Sequence, residues 1–213
     1  PDLEFLCENE NRLWGCKGRT IYASKLGDPF NWNVFEGLET DSYAVDTGSA
    51  GDFTGCVSFL GYPVFFKEDH IYKVYGSIPS NFEVMGSATL GVAKGCGGSL
   101  AIAGERLLYL SSSGVMIYSG GIPQSLHDAF GMTRLRGGRA GSDGLKYYLS
   151  AQDESGEWKL YVYDTRKGMW HIEDKTHATH FCRYQGNTYF LTAEGKITLT
   201  GNILDAPEGC TDE

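Results

Sequence analysis

A chain of 213 residues that is 41% apolar can bury a core of its own, and this excludes an intrinsically disordered protein. The formal charge of −9 argues against nucleic-acid binding, which requires a concentrated Lys/Arg surface. No stretch approaches the ~20 apolar residues of a bilayer-spanning helix.

The residues 1–10, "PDLEFLCENE", have neither the basic start nor the apolar centre of a signal peptide, and no initiator Met; they read as cut from a longer polypeptide. A short strand "LEFLC" (3–7) precedes two stronger ones, "RLWGC" (12–16) and "TIYAS" (20–24). The turn "GDPFNW" (27–32) then delivers a bulky residue, Trp32. The same layout returns in residues 52–86: "CVSFLG" (56–61), "PVFFK" (63–67), "HIYKV" (70–74) and "SIPSNF" (77–82), ending on Phe82. It returns again in 96–130, with "SLAIAG" (99–104), "LLYLS" (107–111), "VMIYS" (115–119) and "GIPQSL" (121–126), ending on Leu126. In 137–174 the segments are "GRAGSD" (138–143), "KYYLS" (146–150), "KLYVY" (159–163) and "TRKGMW" (165–170), ending on Trp170; "DESGE" (153–157) is the hairpin turn. Just ahead, the arginines of "RLRGGRAG" (134–141) read as a solvated turn. The fifth copy, 177–204, has "THFCRY" (179–184), "TYFLT" (188–192) and "KITLT" (196–200), and then its pattern stops.

The stronger first strands start 51, 44, 39 and 42 residues apart. Four short strands per unit of that size, together with abundant Gly, Tyr and Phe, predict an all-β fold: a single-domain β-propeller of about five four-stranded blades, the last incomplete. Small innermost strands suit the crowded axis, and the recurring aromatics pack blade on blade. Trp14, Phe66, Tyr109, Tyr148 and Phe190 are expected inside. The stretch 36–55, acidic and then Gly-rich, reads as a protruding loop or hairpin inserted between the first two units. Loops on rigid scaffolds often carry function, which makes Asp41, Tyr43, Asp46, Asp52 and Phe53 candidate interaction residues. Leu199 joins them, because the edge from Ile197 to Ile203 lacks an outer strand, and bare edges recruit partners. The missing strand would come from the remainder of the polypeptide or from a neighbouring subunit, a second copy of the chain included.

Catalytic chemistry is thinly represented. A glycosidase needs opposed carboxylates on inner strands, and only Glu4, Asp52 and Asp143 lie near them. There is no G-x-S-x-G elbow, P-loop or dinucleotide fingerprint. His177 and His180 stand three apart, and in a strand that spacing sends them to opposite faces. No metal, cofactor or catalytic residue is assigned. Six cysteines without a C-x-x-C pair read as buried strand residues and free thiols of a reducing compartment.

The stretches "NRLWGCKGRTIYASKLGDPFNW" (11–32), "GYPVFFKEDHIYKVYG" (61–76) and "LYVYDTRKGMWHIED" (160–174) resemble the propeller region of a family of phage and prophage structural proteins, tail-associated or of the head-tail connector and tail-nozzle type. The resemblance implies a non-enzymatic assembly role in a virion, or in the bacterial cytoplasm while virions assemble, with other virion subunits as partners. It brings no active-site residues. A five-bladed lectin is the alternative, although its sugar sites should repeat from blade to blade, whereas "KLGDP", "SIPSN", "GIPQS" and "TRKGM" differ. A propeller-type glycoside hydrolase is third.

Overall fold

The structure is a computed structural model and describes residues 1–126 and 134–200. It contains five antiparallel sheets in chain order. The first holds β1 (Phe5–Asn9), β2 (Arg12–Lys17), β3 (Thr20–Ala23) and β4 (Tyr43–Asp46). The second holds β5 (Gly55–Phe59), β6 (Tyr62–Phe66), β7 (His70–Tyr75) and β8 (Glu83–Ala88). The third holds β9 (Ala101–Ala103), β10 (Arg106–Ser111), β11 (Gly114–Tyr118) and β12 (Gln124–Ser125). The fourth holds β13 (Arg136–Ser142), β14 (Lys146–Gln152), β15 (Trp158–Asp164) and β16 (Met169–Asp174). The fifth holds β17 (Ala178–Tyr184), β18 (Asn187–Thr192) and β19 (Ile197–Leu199). Within each sheet every strand pairs with the next in sequence, and first strands of neighbouring sheets lie against one another, β1 on β5, β9 on β13 and β13 on β17. This is a β-propeller arrangement whose fifth blade has three described strands.

Turn chemistry starts four of the five sheets in the same way. The innermost hairpins turn on Glu10-Asn11, Leu60-Gly61, Gly104-Glu105 and Gln185-Gly186, with positive φ at both positions of each pair. That two-residue turn matches the twist of the flanking strands and fixes their register. Crowding between sheets explains the small inner-strand residues. A Cβ on Gly141 would stand 2.5 Å from Phe181, and one on Gly55 would stand 2.9 Å from Leu100.

Three hydrophobic cores run between the sheets. Trp14, Cys16 and Ile21 meet Phe65, Tyr72 and Val74 between the first and second. A larger core joins the second, third and fourth through Phe66, Tyr109, Leu110, Tyr147 and Leu149. Tyr148, Leu160 and Val162 receive Phe181 between the fourth and fifth. All five residues expected inside are buried: Trp14, Phe66, Tyr109, Tyr148 and Phe190.

Three expectations are corrected. The stretch 36–55 is not only a protruding loop, because β4 lies within it and completes the first sheet. Its sequence "YAVD" escapes pattern reading because an outer strand is covered on one face only, and here inward Tyr43 and Val45 alternate with exposed Ala44 and Asp46. Trp32 lies off the strands, and Tyr43 takes the place expected for it, 6.3 Å from Trp14 and 5.1 Å from Phe82. Likewise "RLRGGRAG" is no solvated turn: from Arg136 on it is the inner strand β13, kinked where the register shifts between Arg136 and Arg139. The Arg139 guanidinium donates to the carbonyls of Gly95 and Gly138, which lets an arginine sit beside the axis. The edge region's Ile203 and the sixth cysteine, Cys210, lie outside the described residues.

Candidate functional site

The segment from 36 to 53 is built as two anchors flanking β4. At its start Asp41 is buried and faces its own loop, where its Oδ2 accepts the N–H groups of Glu36, Gly37 and Leu38. Burial opposes its ionisation, but the three backbone donors prevail and hold its carboxyl below the usual value. Arg12, equally buried, donates to the carbonyls of Ser24, Glu39 and Asp41 and lies over the Phe82 ring at 5.6 Å. These contacts clamp the loop onto the first sheet.

Lys67 forms the second anchor. It follows β6, is 1% exposed, and donates from Nζ to the Ser49 carbonyl at 3.0 Å, the Ser49 hydroxyl at 2.7 Å and the Ala50 carbonyl at 3.4 Å. Its ammonium lies 5.0 Å from the Phe53 ring centre and 5.7 Å from that of Tyr72, whose hydroxyl donates to Ser49. Burial lowers the Lys67 pKa. An ammonium that donates to three oxygens keeps no lone pair with which to take a proton from Ser49, so the Ser49–Lys67–Tyr72 group ties the Gly-rich loop down. Sequence reading missed Lys67, since a lysine at a strand end ordinarily reads as solvated.

Between the anchors Asp46 is exposed and pairs with Arg19 at 3.3 Å; past the Lys67 anchor Asp52 is exposed, and Phe53 is buried against Phe65 and Tyr72. Of the six candidate residues, Tyr43 and Phe53 thus reach across to the second sheet, and Asp41, Asp46 and Asp52 lie on the same segment. Leu199 stands apart on the fifth. Beside Asp41 and Tyr43 a groove of about 580 Å³ runs to Ile78 and Pro79 and is lined by exposed Phe35 and Leu38. It borders β4, whose outer edge pairs with no described strand. A groove of this size beside a free strand edge can take an extended peptide, which would supply the missing main-chain partners.

The catalytic candidates do not converge. Asp143 caps its own turn, accepting from the N–H groups of Leu145 and Lys146 and the hydroxyl of Tyr148. Glu4 and Asp52 are exposed on other strands or loops. His177 stacks on Trp158 with ring centres 3.6 Å apart, whereas His180 lies beside Thr179. Among the described residues no three His, Cys, Asp or Glu side chains gather as metal ligands, and no helix is long and apolar enough to cross a membrane. Cys7, Cys16, Cys56, Cys96 and Cys182 are free thiols. Cys7 and Cys56 hydrogen-bond to each other across the first two sheets, and this contact, with burial, raises the Cys7 pKa well above its usual value.

No protein-family model matches the sequence, and no curated protein matches it. Among solved structures the chain is similar to BamB of Moraxella catarrhalis, with 14% identity, a TM-score of 0.47, and coverage of 91% of this chain and 68% of that one. It is also similar to PorZ, described as an essential surface component of the type-IX secretion system of Porphyromonas gingivalis, with 14% identity and a TM-score of 0.38 over 92% of this chain. The chain spans about a third of PorZ, 32% of its length.

Proposed function

We propose that this chain is a non-enzymatic scaffold that docks other proteins, a structural or assembly component of a phage or prophage particle. One observation carries the docking role: the groove beside β4, with Phe35 and Leu38 presented to solvent on a loop that Asp41, Arg12 and Lys67 hold rigid. Pre-ordering a loop removes the entropy cost of ordering it on binding. The occupant is an extended segment of a neighbouring virion subunit, added as a strand to β4. The virion assignment rests on the resemblance of residues 11–32, 61–76 and 160–174 to phage propeller proteins.

The DNA on either side of the gene tests the assignment. Genes for portal, capsid and tail proteins should flank it; their absence would overturn the virion part of the proposal. A glycan array separates docking from the lectin alternative. No bound sugar is the expected result, and saturable binding of one glycan class would replace the docking reading.

A further inference from the structure

The inner strands of the first two sheets, β1 and β5, run side by side with Cα atoms within 8 Å of one another, and one register relates them. At one end Asn9 donates from Nδ2 to the Ser58 hydroxyl at 2.9 Å, across 49 residues of chain. At the other end Phe5 and Thr54, again 49 apart, close on a single point: a Cβ on Gly97 would stand 2.5 Å from the Thr54 carbonyl oxygen and 2.6 Å from the Phe5 ring. Midway between these contacts, at the same separation, stand Cys7 and Cys56, and their thiols hydrogen-bond to each other. Side chains alternate along a strand, so Phe5, Cys7 and Asn9 leave β1 on one face, and Cys56 and Ser58 leave β5 on the face opposite.

A third thiol belongs to the same core. Cys16 of β2 hydrogen-bonds to Cys56 as well, but it is wholly buried, whereas Cys7 and Cys56 are half-buried. An oxidant arriving from solvent therefore meets Cys7 or Cys56 first. The register then presents each of these two to the other, and their sulfurs need only close from hydrogen-bond distance to about 2 Å.

We infer that Cys7 and Cys56 are a latent disulfide, which closes when the chain meets a small disulfide oxidant such as oxidised glutathione and staples the first sheet to the second at their innermost strands. The Cys7 thiolate attacks one sulfur of the oxidant and expels one glutathione thiolate; the Cys56 thiolate then attacks the Cys7 sulfur and expels the second. The protein loses two hydrogens, and the oxidant is reduced to two glutathione thiols, which carry the two protons. The Cys7 thiol is pushed up in pKa by its hydrogen bond to Cys56 and by burial, and the Cys56 thiol by its hydrogen bond to Cys16 and by burial. Only a thiolate attacks, so the staple closes slowly at neutral pH and faster as pH rises. Once closed it joins the two ends of a chain segment that holds β2, β3 and β4, and it stabilises the fold by restricting the unfolded chain. The pair lies on the inner strands rather than in the β4 groove, so the inference stands or falls separately from the docking role.

The test incubates the folded, reduced chain with excess oxidised glutathione at alkaline pH, quenches with acid and maps the peptides without reduction. The expected main product has lost two hydrogens through one link, Cys7 to Cys56, while exposed Cys182 is modified and so reports that the oxidant has acted. The link should persist in Cys16→Ser and vanish in Cys7→Ser and in Cys56→Ser. In urea the pairing should scatter over the six cysteines, and the linked chain should unfold at a higher urea concentration than the reduced one. Cys7 and Cys56 that stay free through prolonged incubation, with Cys182 fully modified, overturn the inference. So does a Cys16–Cys56 link as the main product, or pairing in the folded chain that is no more selective than in urea. The wild-type map decides by itself, so a serine variant that fails to fold leaves the test intact.

Discussion

The third and fifth sheets carry nearly the same strand, "LLYLS" at 107–111 and "TYFLT" at 188–192, in very different surroundings. In β10 every one of these residues is 2% exposed or less, because the second sheet covers one face and the fourth covers the other. In β18 only Thr188 and Phe190 are buried, and the alternating Tyr189 and Leu191 are half-exposed. An apolar run in a propeller therefore reports a strand that can be covered on both faces. Whether it is covered depends on its neighbours.

The sharpest way to break this comparison is to truncate matched residues. Tyr109→Ala should cost about 3–5 kcal/mol in urea unfolding, since its ring is enclosed and its hydroxyl donates to the Leu90 carbonyl. Tyr189→Ala should cost about 1 kcal/mol in dilute solution. Equal losses would mean that β18 is covered on both faces. A Tyr189→Ala effect that grows with protein concentration would instead sharpen the comparison, because association stabilises by mass action.

The next effect is at the junction that holds the fifth sheet. Gly141→Ala places a methyl group 2.5 Å from Phe181 and should destabilise by about 1–3 kcal/mol. Amide exchange should show the loss concentrated in β17–β19. A uniform loss across all five sheets would show that the fifth does not open separately.

Smaller, and read from pH, is the Asp143–Tyr148 pair beside that junction. Burial works against ionisation of Asp143, but the N–H groups of Lys146 and Leu145 and the Tyr148 hydroxyl outweigh it and lower its pKa from 3.8. Its contribution is present above the unfolded value and is lost as pH falls through the folded one. Tyr148 is pushed up from 10.0 to about 12, first by burial and then by the nearby Asp143 charge. Its contribution is full below pH 10 and is lost as pH rises through about 12. Asp143→Asn should flatten the acid limb of the stability profile and bring the alkaline limb to higher stability at a given pH, since a carboxylate no longer repels the phenolate. An unchanged profile would show that the pair plays no part in holding this end.

The smallest effect belongs to the fifth sheet's outer surface. Ile197→Ala should change stability by no more than about 0.5 kcal/mol in a monomer, because so little of the side chain is buried. A loss near that of Tyr109→Ala would show a cover over this face within a single chain.

The sequence alone determined where most of the strands lie and how they are grouped, because a strand covered on both faces carries a continuous apolar run, as Leu107–Leu110 and Tyr147–Leu149 do. The abundance of Gly pointed to tight turns, but only the structure places them at pairs such as Leu60-Gly61 and Gln185-Gly186. The sequence did not reveal β4, whose half-exposed "YAVD" carries too few apolar residues to stand out, nor the buried Lys67 that secures the loop after it. Nor did it decide faces. Aligned by their apolar runs, Trp14, Phe65, Tyr109, Tyr148 and Phe190 fall at one position, yet Trp14 and Tyr148 point forward, whereas Phe65, Tyr109 and Phe190 point back. Side chains alternate with a period of two, so a slip of one residue exchanges the faces, and only cross-strand register and the sheet on either side select between them.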